Sequence, residues 1–207
     1  MLAPTLDALQ FDPVTHTYTL RGRRLESVTQ VLEDVGIVDF SSIPPSTRNE
    51  ALSRGSIVHE AIAIDLENDL DDASVPAQYM GYVEAARRFR ADKQFEVELH
   101  EYRSYHPQFL YSGTLDAKGY ANIGNGRRRY LLDWKSGVAS AWVRYQLAAY
   151  AAFFPSPAAE LRLCVELHAD GSYRFFEFPA AEFRADFDVF LSALTVMRVK
   201  RLEVKLR

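Results

Sequence analysis

The run Leu131-Leu132-Asp133-Trp134-Lys135 constrains this chain more than any other, because two charges interrupt an apolar stretch that otherwise reads as a buried strand. Side chains on a strand alternate faces, so Asp133 and Lys135 point one way while Leu132 and Trp134 point the other. A carboxylate and an ammonium on one buried face are costly unless they pair or hold a metal ion. Just upstream, Ile123-Gly124-Asn125-Gly126-Arg127 carries Asn-Gly, the strongest short hairpin signal. With Asn125 and Gly126 as the two central turn residues, Asp116 falls directly opposite Lys135 and one pair from Asp133 on the same face. Facing residues of an antiparallel pair lie roughly 4.5–5.5 Å apart, so the three polar heads converge. A slip of one residue would turn Asp116 to the wrong face.

Two converging carboxylates beside a lysine suit a hard divalent cation, which takes oxygen ligands and keeps several waters. Such an ion polarises a phosphoryl oxygen and acidifies a bound water, and a nearby ammonium orients that water or offsets charge on the phosphate. The rival reading is a structural Asp–Lys pair with no chemistry, because such pairs show the same pattern.

The rest of the chain reads as one α/β domain over 1–207, a central mixed sheet flanked by helices, with its motif-bearing core at about 46–178. Phe11 to Leu25 reads as a short hairpin around Arg21-Gly22. Ser27 opens a helix in capping-box spacing with Gln30, ending at Gly36. Helices are expected over 46–68, where Gly55 implies a close backbone approach to the sheet, and over 76–92, 139–154 and 186–200. Strands are expected near 95–105, 111–121, 129–135, 160–168 and 172–178, the last two joined at Asp170-Gly171.

Taken in order, four segments resemble the PD-(D/E)XK nuclease superfamily, closest to its RecB-like and phage-exonuclease branch. They are Arg54-Gly55-Ser56-Ile57-Val58-His59-Glu60, the glycine-led Gly113-Thr114-Leu115-Asp116, Asp133-Trp134-Lys135, and Gln146 with Tyr150 four residues on. Phe11-Asp12-Pro13 and Ser27-Val28-Thr29-Gln30-Val31-Leu32 are similar to the opening of phage-encoded members, so the likeness spans residues 11–154. It implies a restriction-endonuclease-like core and a Mg²⁺- or Mn²⁺-dependent deoxyribonuclease, an exonuclease of phage or prophage recombination or repair. Asp116, Asp133 and Lys135 would be catalytic. His59, Asp116, Asp133, the Trp134 backbone carbonyl and Glu101 would hold the metal, with Glu98 competing for the place of Glu101. Gln146, Tyr150, Arg54 and Ser136 would face DNA. An imidazole in the shell favours Mn²⁺ over Mg²⁺ and ties activity to a proton lost at about pH 6.5.

The same likeness implies DNA as substrate and a recombination or helicase partner protein. The alternative from another class is a nuclease-fold subunit that binds DNA or a recombination partner without cutting. Degenerate members of that kind lose an acidic ligand or the lysine, and this chain keeps them. A third reading makes Asp116 and Asp133 the acid–base pair of an unrelated hydrolase, but no aromatic sugar platform surrounds them.

A net charge of −4 argues against a nucleic-acid coat protein. Local basic clusters at Arg21–Arg24, Arg87-Arg88, Arg127–Arg129 and Arg198–Arg207 are candidate phosphate contacts or ordinary solvated faces. Cys164 stands alone, which rules out a disulfide within the chain and the four-cysteine iron–sulfur cluster that some members of this branch carry. No apolar run reaches eighteen residues and no signal pattern opens the sequence, so a cytoplasmic protein with no membrane span is expected.

Overall fold

The computed structural model describes residues 9–39, 41, 43–124 and 126–205, the last three by backbone only. The chain opens with β1 (Leu9–Asp12), β2 (Thr17–Leu20) and β3 (Arg23–Ser27). Arg21 and Gly22 join β2 to β3 at φ of 50° and 78°, the left-handed pair that a two-residue hairpin needs. The expected two-stranded hairpin is therefore a three-stranded meander. It packs Tyr18 and Leu25 against Tyr105. Ser27 then caps α1 (Val28–Asp34): its hydroxyl accepts the Gln30 N–H, and the Gln30 side chain accepts the Ser27 N–H, the capping box read from the spacing.

Pro45 occupies the first turn of α2 (Pro45–Leu66), where its missing N–H removes no helical bond. Helix α3 (Ala77–Lys93) leads into the long strands β4 (Glu96–Tyr105), β5 (Tyr111–Asn122) and β6 (Arg127–Lys135). Helix α4 (Val143–Ala151) crosses over to β7 (Leu161–Leu167), which runs parallel to β6; β8 (Tyr173–Phe178) returns antiparallel, and α5 (Phe183–Lys205) follows. Helix α4 starts later than expected because the Ala139 N–H is bonded to the buried Glu166 carboxylate at 3.1 Å, not to a helical carbonyl.

All eight strands form one mixed sheet in the order β1-β2-β3-β5-β6-β7-β8, with β4 on the other edge of β5. Helices α1, α4 and α5 cover one face, packing Val31, Leu32, Leu147 and Phe190 over Leu131. Helices α2 and α3 cover the other, packing Val58, Ile62 and Phe89 over Leu132 and Trp134. The alternation read from Leu131 to Lys135 thus holds.

The β5–β6 register differs from the expected one. The ladder closes on Asn122 opposite Arg127, so residues 123–126 form a four-residue connection instead of a two-residue turn. Asn125 itself lies outside the described residues. The slip is two residues, which preserves the faces. Ala117 faces Leu132, so continuing the register puts Asp116 opposite Asp133, not Lys135.

One edge of β5 changes partner along its length. Ala117 to Asn122 pair with β6, while Tyr111 and Ser112 pair in parallel with β3. Between them, residues 113–116 face a fork where no described strand runs alongside. The strand also breaks its alternation there: Leu115 packs on the α4 face and Ala117 on the α2 face.

Candidate metal centre

Asp116 stands at the fork. Its Oδ2 accepts the Trp134 N–H at 2.8 Å, so a side chain takes the place that a strand carbonyl would fill. On the far side, Tyr102 faces Leu115 and His100 faces Ala117, which leaves Glu101 opposite Asp116. Glu101 has φ 44°, a left-handed conformation uncommon for a residue with a side chain. Strained backbone of this kind gathers at ligand and active sites. From above, α2 lowers His59, whose Nδ1 lies 3.4 Å from Asp116 Oδ1. His59, Glu101 and Asp116 offer ligand atoms that all lie within 4.8 Å of one another. The expected Glu101 therefore joins the centre, whereas Glu98 is turned to Arg129 at 3.5 Å.

Asp133 is placed differently from the expectation. It lies outside the His59–Glu101–Asp116 group, and its carboxylate is held by Lys135, which donates to Oδ1 at 3.0 Å and lies 2.8 Å from Oδ2. Oδ2 is buried and is met by the Lys135 ammonium at an angle poor for a hydrogen bond. A buried carboxylate balanced by one ammonium has lone pairs to spare, and an incoming cation could draw on them. The Trp134 N–H points to Asp116, and a strand residue turns its N–H and C=O to the same neighbour. The Trp134 carbonyl accordingly faces the fork as well.

Lys135 is fixed from three directions. It donates to Gln146 Oε1 at 3.2 Å as well as to Asp133, and sits 5.2 Å from the Trp142 ring centroid. Gln146 in turn donates to the Tyr150 hydroxyl at 3.3 Å. Tyr150 packs against Gly113, where an added Cβ would sit 2.6 Å from the ring. The motif glycine and the motif tyrosine are thus one packing contact. Both Gln146 and Tyr150 are buried, and their hydrogen bonds run to the lysine and to each other.

Gly55 is not explained as expected: a Cβ there would meet only Ser136 Oγ at 4.0 Å, which is ordinary contact. Arg54 and Ser136 meet each other. The Arg54 Nε donates to the Ser136 carbonyl at 2.8 Å and the guanidinium lies over Tyr82, which ties α2 to the turn after β6.

The charges of the site are coupled. Burial disfavours the His59 cation, but the Asp116 carboxylate outweighs it and raises His59 to about 9. Burial would raise Asp116 too, yet the His59 charge holds it below the ordinary carboxylate range. Burial lifts Asp133 to about 6 against the pull of Lys135, and burial together with Asp116 raises Glu101. With no cation bound, His59 and Asp116 form an ion pair that survives well above the pH of about 6.5 expected for a free imidazole.

The basic clusters are mostly spent elsewhere. Arg87 pairs with Asp65 and Asp72, Arg127 with Glu96, Arg128 with Glu177, Arg129 with Glu160, and Arg198 and Arg201 with Glu26. Arg207, the end of the last cluster, is outside the described residues, and only Arg21–Arg24 keeps its charges clear of carboxylates among those described. No described helix is long and apolar enough to cross a membrane. Sequence reasoning missed the buried Glu166, whose carboxylate holds the turn beyond Lys135; a glutamate in an apolar run, Leu161 to Leu167, was the available signal. No family model matches the chain, and no curated protein does.

Proposed function

We propose that the protein is a metal-dependent deoxyribonuclease of the PD-(D/E)XK type, with a restriction-endonuclease-like core and the RecB-like branch as its nearest likeness. The observation that carries the reading is the fork in the sheet, where His59, Glu101 and Asp116 converge beside a buried Asp133–Lys135 pair. A β4-β5-β6 antiparallel unit followed by a helical crossover to a parallel β7 supports the same assignment. One imidazole and two carboxylates, with the buried Asp133 carboxylate beside them, fit Mg²⁺ or Mn²⁺. His59, Glu101 and Asp116 would hold the ion, with Asp133 and the Trp134 carbonyl completing the shell.

The bound cation supplies Lewis acidity toward a phosphodiester and acidifies a coordinated water. Lys135, beside Asp133, would orient that water or offset charge developing on the phosphate. Gln146 holds the lysine in place, and Asp133 keeps it protonated: burial alone would lower its pKa, but the carboxylate raises it.

Incubation of the purified protein with end-labelled linear and closed-circular DNA, with Mg²⁺, with Mn²⁺ and with neither, tests this. Metal-dependent loss of linear DNA alone is expected for an exonuclease; nicked circles would mark an endonuclease. Binding without cleavage under every condition would overturn the catalytic reading in favour of a non-cutting DNA-binding subunit. Asp116→Ala should lose Mn²⁺ binding in a calorimetric titration, Asp133→Ala should retain weakened binding, and Lys135→Ala should cut turnover by on the order of a hundredfold at near-normal metal affinity.

A further inference from the structure

Beside the fork, β4 carries an arginine, stacked on the meander, that takes part in no ion pair among the described residues. Arg103 follows Glu101 by two residues on β4, is exposed, and has no carboxylate within ion-pair distance among the described residues. Its guanidinium carbon lies 4.8 Å from the Phe11 ring centroid. Phe11 packs on Tyr18 with centroids 4.7 Å apart, and the Tyr18 hydroxyl is 2.6 Å from Thr114 Oγ1. Thr114 faces Arg103 across the β4–β5 ladder. The chain Arg103–Phe11–Tyr18–Thr114 fixes the plane of the guanidinium while leaving its edge of N–H donors without a partner among the described residues. That edge is the geometry that grips a phosphate with two parallel hydrogen bonds. Two residues along a strand is about 7 Å, comparable to the step from one phosphate to the next along an extended nucleic-acid backbone.

We propose that Arg103, stacked on Phe11, binds the phosphate adjacent to the scissile one in a DNA strand. The proposal rests on the nuclease reading and names how that site takes hold of its substrate. It also gives the N-terminal meander a purpose, as the rigid wall that carries the arginine's platform.

Fluorescence anisotropy of a labelled single-stranded DNA oligonucleotide, with Ca²⁺ present to suspend hydrolysis, tests it. Arg103→Ala should weaken binding about tenfold and flatten the dependence of log affinity on log salt by about 0.7, the contribution of one phosphate. Arg103→Lys should restore the slope and only part of the affinity. In oligonucleotides carrying one neutral methylphosphonate linkage at successive positions, a single position should cost the wild type about as much as Arg103→Ala does. At that position the variant should lose nothing more.

Equal losses for the variant at every methylphosphonate position, or none at all, would overturn the proposal. Wild-type cleavage together with an unaffected Arg103→Ala variant would remove this inference and leave the nuclease reading standing. Failure of the wild type to bind DNA would remove both.

Discussion

Between about pH 6.5 and 9 the metal-free site keeps a proton that its histidine would lose in water, because Asp116 lies against His59. The sign of the consequence follows from linkage. The folded pKa of His59 exceeds the unfolded one, so its contribution to stability is complete below about 6.5 and is lost as pH rises through about 9. Asp133, lifted to about 6 from 3.8, acts in the same sense, its burial cost fading as pH falls through that range. The metal-free protein should therefore melt at a higher temperature at pH 6 than at pH 9. His59→Gln should flatten the upper part of that profile and leave the Asp133 part. A melting temperature that rises steadily from pH 6 to 9 in the absence of metal would contradict the pairing. A cation has to displace the same proton, so metal affinity should climb over this window.

Packing between elements explains the motif spacing better than chemistry alone does. Gly113 on β5 and Tyr150 on α4 touch, and a methyl group at Gly113 would collide with the ring at 2.6 Å. Gly113→Ala should destabilise the fold by about 1–3 kcal/mol as an overpacked core. Gly55→Ala has room and replaces a helical glycine, so it should stabilise α2 by up to about 1 kcal/mol. Urea denaturation midpoints will show opposite shifts if this is right.

Much of this was legible in the chain. The interruption of the Leu131–Lys135 run by charges marked a buried strand, and the Ser27–Gln30 spacing marked a capped helix, because both follow local rules. The register at Asp116 was not legible, since a four-residue connection and a two-residue turn share the same Asn-Gly signal and the same parity. Nor was the exclusion of Asp133 from the His59–Glu101–Asp116 group, which depends on a fork produced by β3, a strand more than eighty residues upstream of Tyr111.

At the scale of the molecule, a net charge of −4 coexists with a DNA-directed reading because most arginine clusters are neutralised by neighbouring carboxylates. The positive charge left unpaired among the described residues is sparse. The fork has a further consequence, in the rates at which main-chain protons trade with solvent. Inside the β5–β6 ladder each amide is protected by another strand, but the Trp134 amide owes its hydrogen bond to a carboxylate. Its exchange with deuterium should accelerate sharply in Asp116→Ala while the ladder amides, from Tyr130 to Leu132, stay slow. A single backbone proton in the middle of the sheet thereby becomes a gauge of what the Asp116 side chain is holding, readable without any substrate.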